Sequence, residues 1–186
     1  MKSTILFVPG LRDHVADHWQ TLLAAALPGS RTVPPLADAK LSCAARVAAL
    51  GAVLDAIKGP VVLAAHSAGV LMVAHWAQRH SRPIRGALLA APADIATPLP
   101  SGYPTHDELE SNGWLPVPRQ PLPFRSIVAY SDNDPLARPA RITELAHDWR
   151  SELVALGDVG HLNPASGFGP WPQAMALLEA LDGTDD

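Results

Sequence analysis

A chain of 186 residues, 48% of them apolar, has enough material for one domain with a sizeable core, and is neither disordered nor membrane-like in composition. A net charge of −4, carried by 14 basic and 18 acidic residues spread along the chain, excludes a nucleic-acid partner as the expected function. One cysteine, Cys43, excludes an intramolecular disulfide framework and fits a reducing compartment.

The first apolar run, Thr4–Val8, is too short for a signal peptide and ends in Pro9-Gly10. It reads as the first strand of a cytoplasmic protein, and no segment is apolar enough over sufficient length to span a membrane. An amphipathic stretch, Asp17–Ala26, predicts a helix, and Arg31–Pro34 a second strand. Helix Cys43–Ile57 and strand Val61–Ala65 follow, then helix Ala68–His80 and strand Gly86–Ala91. From Pro92 to Pro123 the chain is proline-rich and cannot be one regular helix. It reads as a long connection with one short helix near Asp107–Asn112, the kind of segment that serves as a small lid or binding loop. The last third repeats the alternation: strand Ser126–Tyr130, helix Pro139–Trp149, strand Leu153–Leu156, helix Pro172–Leu181. Strands alternating with helices predict a three-layer α/β/α sandwich over residues 1–186 as a single domain. The sheet is expected to be mostly parallel, with about six strands in the order 2-1-3-4-5-6 and a switch point between strands one and three, where ligands bind at the carboxyl ends.

The strongest local signal is Ala65-His66-Ser67-Ala68-Gly69. A buried-strand pattern runs into a serine flanked by small residues, and a helical pattern starts at once. That is the form of a nucleophile elbow, a strained strand-to-helix turn that lifts a serine hydroxyl above the sheet. Ala65 stands where glycine is usual; the bland alternative is a helix with Ser67 as its N-cap.

A serine hydroxyl needs a base, and the base needs a carboxylate to orient it. In α/β-hydrolases the chain order is serine, acid, histidine. His161, in Gly160-His161-Leu162-Asn163, follows the last strand and precedes the last helix. The acid is expected after the preceding strand, in Ser131-Asp132-Asn133-Asp134-Pro135. Asp134 is preferred because Pro135 fixes the turn behind it; Asp132 is the alternative, and Asp158 ranks below both. The oxyanion donors would be the backbone N–H groups of Ala68 and of Leu11, with Arg12 second to Leu11. His66, although adjacent to Ser67, is expected to pack rather than act as the base.

Taken together, Val8-Pro9-Gly10-Leu11, His18-Trp19-Gln20, the Ser67 elbow, Pro121-Leu122-Pro123-Phe124, the Asp134 and His161 loops and Ser166-Gly167-Phe168-Gly169-Pro170-Trp171-Pro172 resemble the small serine hydrolases grouped with retinoblastoma-binding protein 9 and the bacterial YdeN-type proteins. The resemblance spans nearly the whole chain. It implies a compact α/β-hydrolase without a large cap domain, and carries the nucleophile onto Ser67, the acid onto Asp134 and the base onto His161. The pocket-protein motif of the human namesake is incomplete here, since Leu41-Ser42-Cys43-Ala44-Ala45 lacks its glutamate, so no such partner is implied.

The remaining signals are weaker. His14 and His18 stand four apart, but no glutamate follows the first, so no metal is expected. Trp114 and Trp171 are candidates to line a substrate pocket, ahead of Tyr103 and Phe168. The expected activity is cleavage of small carboxylic esters through an acyl-enzyme, with no cofactor. An amidase or aminopeptidase would want an acidic patch for a substrate amine, and Asp107, Glu108 and Glu110 are the residues that could supply it. The rival of another class is a protein-binding module on a hydrolase scaffold.

Overall fold

A computed structural model describes residues 1–183. Six strands, β1 (Thr4–Val8), β2 (Arg31–Thr32), β3 (Val61–His66), β4 (Gly86–Ala90), β5 (Ser126–Tyr130) and β6 (Glu152–Ala155), form one sheet in the order β2-β1-β3-β4-β5-β6. Every neighbouring pair is parallel. The order is the expected one, with the switch point between β1 and β3.

Six α-helices accompany the strands: α1 (Trp19–Ala26), α2 (Cys43–Ala56), α3 (Ala68–Ala77), α4 (His106–Ser111), α5 (Pro139–Trp149) and α6 (Gln173–Asp182). The two-residue period of the strands divides their side chains between two apolar layers. Leu6, Val8, Leu63, Ala65, Leu89 and Val128 face α2, α3 and α5. Ile5, Phe7, Val62, Ala64, Leu88 and Ile127 face α1 and α6. With both faces covered, β3 and β4 are buried at every position, which is why they read as unbroken apolar runs.

Element boundaries differ from the sequence expectation where the backbone runs out of partners. β2 pairs over two residues instead of four: after Val33 N–H donates to the Phe7 carbonyl (3.0 Å), Pro34 and Pro35 have no N–H to offer. α3 stops at Ala77, three residues short of His80, as the Arg79 N–H turns back to the Trp76 carbonyl (3.1 Å). The proline-rich connection is tied down rather than hung over the surface. α4 opens on a capping box between Thr105 and Glu108, and Ile95, Leu109, Trp114 and Leu122 are buried in the α2/α3/α5 layer. Among the described residues, no helix is long and apolar enough to cross a membrane.

Candidate active site

β3 ends at His66 and α3 begins at Ala68, so Ser67 alone makes the corner, at φ 57° and ψ −126°. A side chain in that region costs about 1–3 kcal/mol, and it persists only where its surroundings over-determine it. Here the Ser67 N–H donates to the Ala90 carbonyl at the end of β4 (3.0 Å), and the Ser67 carbonyl accepts from Val70 (3.0 Å). Gly69 lets the first turn of α3 lie against β1, because a Cβ there would sit 2.1 Å from the Val8 carbonyl oxygen. Gly10 passes on the other side: a Cβ at that position would lie 3.1 Å from Ser67 Cβ.

The Ser67 hydroxyl lies 2.8 Å from His161 Nε2, and His161 Nδ1 lies 2.8 Å from Asp134 Oδ2 and 3.1 Å from Oδ1. A carboxylate only accepts, so Nδ1 carries the proton and Nε2 is left to accept from the serine. The His161 and Asp134 side chains are 5% and 3% exposed, which removes water as a competitor for this pair. Two loops are laced together to produce it. Asn133 Oδ1 accepts from the Gly160 N–H (2.6 Å), Ser131 Oγ accepts from the Val159 N–H (3.1 Å), and Ser166 Oγ accepts from the His161 N–H (3.0 Å). Asp132 and Asp158 are exposed and do not meet the imidazole.

Three imidazoles cluster behind the serine, His66 edge-on to His18 and tilted against His161. The His66 ring lies 4.9 Å from that of His161 and 4.5 Å from that of His18, centre to centre. His66 Nε2–H donates to the His161 backbone carbonyl (2.9 Å). His18 Nδ1 accepts from the Gln20 N–H (3.2 Å) and caps α1. Burial, reinforced by the charge of His161, lowers His18 to about 4. Burial also holds His66 well below its ordinary range, with the neighbouring imidazoles adding to it. In the unfolded chain His18 takes up its proton near pH 6.5 and in the folded chain only near pH 4, so the unfolded state binds more protons between those values. Stability should therefore fall as pH drops through that window, by roughly 3 kcal/mol from this residue. His18→Asn keeps an acceptor at the cap without a titrating ring, so its Tm should decline less steeply from pH 6.5 to 4 than that of the parent. An unchanged slope would remove His18 as the source.

Ser67 opens into a cavity of ≈ 530 Å³. Leu11, Val15, Leu41, Tyr103 and Leu136 give it apolar walls, and Gly10, Ala68 and His161 line it beside the serine. The N–H groups of Leu11 and Ala68 donate to no other protein group among the described residues. The loop that carries Leu11 is held by Arg46 of α2, a side chain 4% exposed, which donates to the Leu11 carbonyl (3.2 Å), the Lys40 carbonyl (2.6 Å) and Asp13 Oδ1 (2.8 Å). Gln20 Nε2 joins the ends of β1 and β3 by donating to the carbonyls of Val8 (3.2 Å) and Ala64 (2.8 Å).

The two tryptophans expected in the pocket lie elsewhere. Trp114 is fully buried in the α2/α3/α5 layer, where its Nε1–H donates to the Leu41 carbonyl (2.6 Å) and the Trp114 backbone carbonyl accepts from His75 Nε2–H (3.1 Å). Trp171 is half-buried edge-on against Trp19, 5.0 Å between centres, in the α1/α6 layer. Tyr103 is the aromatic residue of the wall. Asp107, Glu108 and Glu110 are exposed and outside the cavity, and Glu108 is engaged with the Thr105 cap. His14 is exposed, and no three His, Cys, Asp or Glu side chains gather as metal ligands among the described residues.

A family model described as serine hydrolase matches residues 5–180. The chain belongs to the serine hydrolase family. A YdeN-like hydrolase of Pectobacterium atrosepticum is 30% identical over 97% of this chain and 90% of its own, with a TM-score of 0.80. The ydeN gene product of B. subtilis is 15% identical over 98% of this chain and 100% of its own (TM-score 0.72). Est1E of Butyrivibrio proteoclasticus, solved with ferulic acid, is 12% identical over 96% and 86% (TM-score 0.69); at that distance the likeness is one of fold. A search of curated proteins finds no match. The YdeN-type resemblance read from the sequence motifs is thus borne out, and the protein is a hydrolase of the serine class.

Proposed function

We propose that this serine hydrolase cleaves small carboxylic esters through an acyl-enzyme, with Ser67 as nucleophile, His161 as general base and acid, and Asp134 as the orienting carboxylate. The observation that supports this most directly is the continuous relay from the Ser67 hydroxyl to His161 Nε2 and from His161 Nδ1–H to Asp134, opening on an apolar cavity. Ser67 Oγ attacks the ester carbonyl while His161 Nε2 takes the hydroxyl proton. The negative charge formed on the carbonyl oxygen is met by the N–H groups of Ala68, at the start of α3, and of Leu11. His161 then gives its proton to the departing alkoxide, leaving Ser67 acylated. Water, deprotonated by the same imidazole, attacks the acyl carbon and releases the carboxylic acid and the serine. His18 and His66 are poor proton acceptors at neutral pH, so they do not compete for the serine proton. An ester is favoured over an aminopeptidase substrate because the acidic residues of α4 lie away from the cavity.

A fluorophosphonate probe tests the reading. The parent should be labelled stoichiometrically, and both Ser67→Ala and His161→Ala should lose labelling while retaining the parent's Tm within a few degrees. A folded parent that resists the probe would turn the argument to the binding-module reading.

A further inference from the structure

Two cations line the cavity beside the nucleophile, Arg12 and Lys40. The whole chain carries a net charge of −4, yet neither meets a carboxylate within ion-pair distance among the described residues. The one acid of the same wall, Asp13, is neutralised by Arg46. The nearby imidazoles, His18 and His66, add no positive charge at neutral pH. Arg12 is held in a particular way: its guanidinium lies over the Tyr103 ring, 5.5 Å from the centre. A guanidinium drawn over an aromatic ring by the cation–π attraction still has its N–H donors to offer, the fork that matches a carboxylate. Arg46 then fixes the frame, because the same side chain grips the carbonyls of Leu11 and of Lys40, tying the two cation-bearing segments to one point.

We infer that the cavity wall formed by Arg12, Tyr103 and Lys40 is a carboxylate subsite, and that the substrate is a small ester bearing a second, free carboxylate. The inference rests on the esterase reading and deepens it. The uncharged part of the substrate lies against Leu11, Leu41 and Leu136, and the free carboxylate is bound by the Arg12 fork with Lys40 beside it.

The test uses two pairs matched in carbon-chain length, with the carboxylate on the acyl side (monomethyl glutarate against methyl valerate) and on the alcohol side (4-acetoxybutanoate against butyl acetate). In one pair at least, kcat/KM for the anion should exceed that for the neutral ester by about fivefold, the upper scale of a charge pair at exposed side chains such as Arg12 and Lys40. That ratio should shrink as ionic strength rises. It should fall to within about twofold of unity in Arg12→Gln/Lys40→Gln. Lys58→Gln, which removes a charge at the far end of the sheet, should keep it. Reading a ratio cancels any general loss in the double variant. Equal or faster turnover of the neutral ester in both pairs overturns the subsite, as does a ratio that survives the double substitution. An enzyme labelled at Ser67 that turns over no member of either pair also overturns it, with the nucleophile intact. A folded enzyme that neither labels nor hydrolyses overturns the esterase reading, and the subsite with it.

Discussion

Asp134→Asn is expected to lower kcat by about 10⁴ while leaving KM and Tm close to those of the parent. The local hydrogen bonds explain why so small a change has so large an effect. Asp134 Oδ1 accepts from the Leu136 N–H at 2.8 Å, while Oδ2 faces His161 Nδ1 at the same distance. An asparagine keeps the first bond only by placing its carbonyl oxygen at Leu136, which sends its NH₂ to the imidazole. Nδ1 must then accept, so the ring proton moves to Nε2, where it faces Ser67 and the base is lost. The carboxamide has almost the volume of the carboxylate, so packing around a side chain 3% exposed is retained. Asp132→Asn supplies the contrast: Asp132 is exposed and away from the ring, and its kcat should stay within about twofold. Steady-state kinetics on both variants decides between the two carboxylates. A tenfold loss or less in Asp134→Asn, or a large one in Asp132→Asn, would remove Asp134 as the orienting acid.

How much of this site was legible in the sequence depends on how far each feature reaches along the chain. The elbow was legible because a strand, a tight small-residue turn and a helix are written in consecutive residues. The Asp134 and His161 loops were legible because parallel strands bring the segments after β5 and β6 to the same edge as Ser67. β1, β5 and α5 have the expected boundaries, Thr4–Val8, Ser126–Tyr130 and Pro139–Trp149. The groups that aim the site were not legible, because their partners are distant. Arg46 is a basic residue in helix α2, and a basic residue ordinarily means a solvent face. The signal that could have found it is its place on the 46-50-54 row, whose other members, Leu50 and Leu54, are fully buried. His66 was expected to pack, and it does, but its bond to the His161 carbonyl joins residues 95 apart. Trp114 misled because proline-rich surroundings suggest an exposed loop, whereas the indole N–H reaches Leu41, 73 residues earlier. The acceptor that pairs the Trp114 indole N–H is remote in the chain, and no sequence window of a helix or strand contains that information.

The second large effect is expected in stability. Gly69→Ala should cost about 4 kcal/mol or more, enough to remove most soluble protein at 37 °C. The added methyl would meet the Val8 oxygen at 2.1 Å, the Pro9 oxygen at 2.8 Å and the Val8 carbon at 2.9 Å. All three are backbone atoms, so no side chain can swing aside, and β1 cannot retreat because it is paired on both edges. The only relief is to lift the start of α3 or push the Val8–Leu11 segment, and either movement separates the Ala68 and Leu11 N–H groups flanking Ser67. Any fraction that folds should therefore also lose kcat. The other small position of the elbow behaves differently. Ala65→Gly restores the commoner pattern but removes a fully buried methyl and loosens β3, at about 1 kcal/mol. Gly51→Ala gives a control of opposite sign. Its methyl would rest 3.6 Å from the Trp76 ring, an ordinary contact, and a glycine inside a helix gives way to alanine with a gain of about 0.5–1 kcal/mol. Urea titrations of the three variants should rank Gly51→Ala above the parent, Ala65→Gly just below it and Gly69→Ala far below. If Gly69→Ala stood within 1 kcal/mol of the parent, α3 would not be packed on β1 at the distance that holds Ser67 in its strained turn.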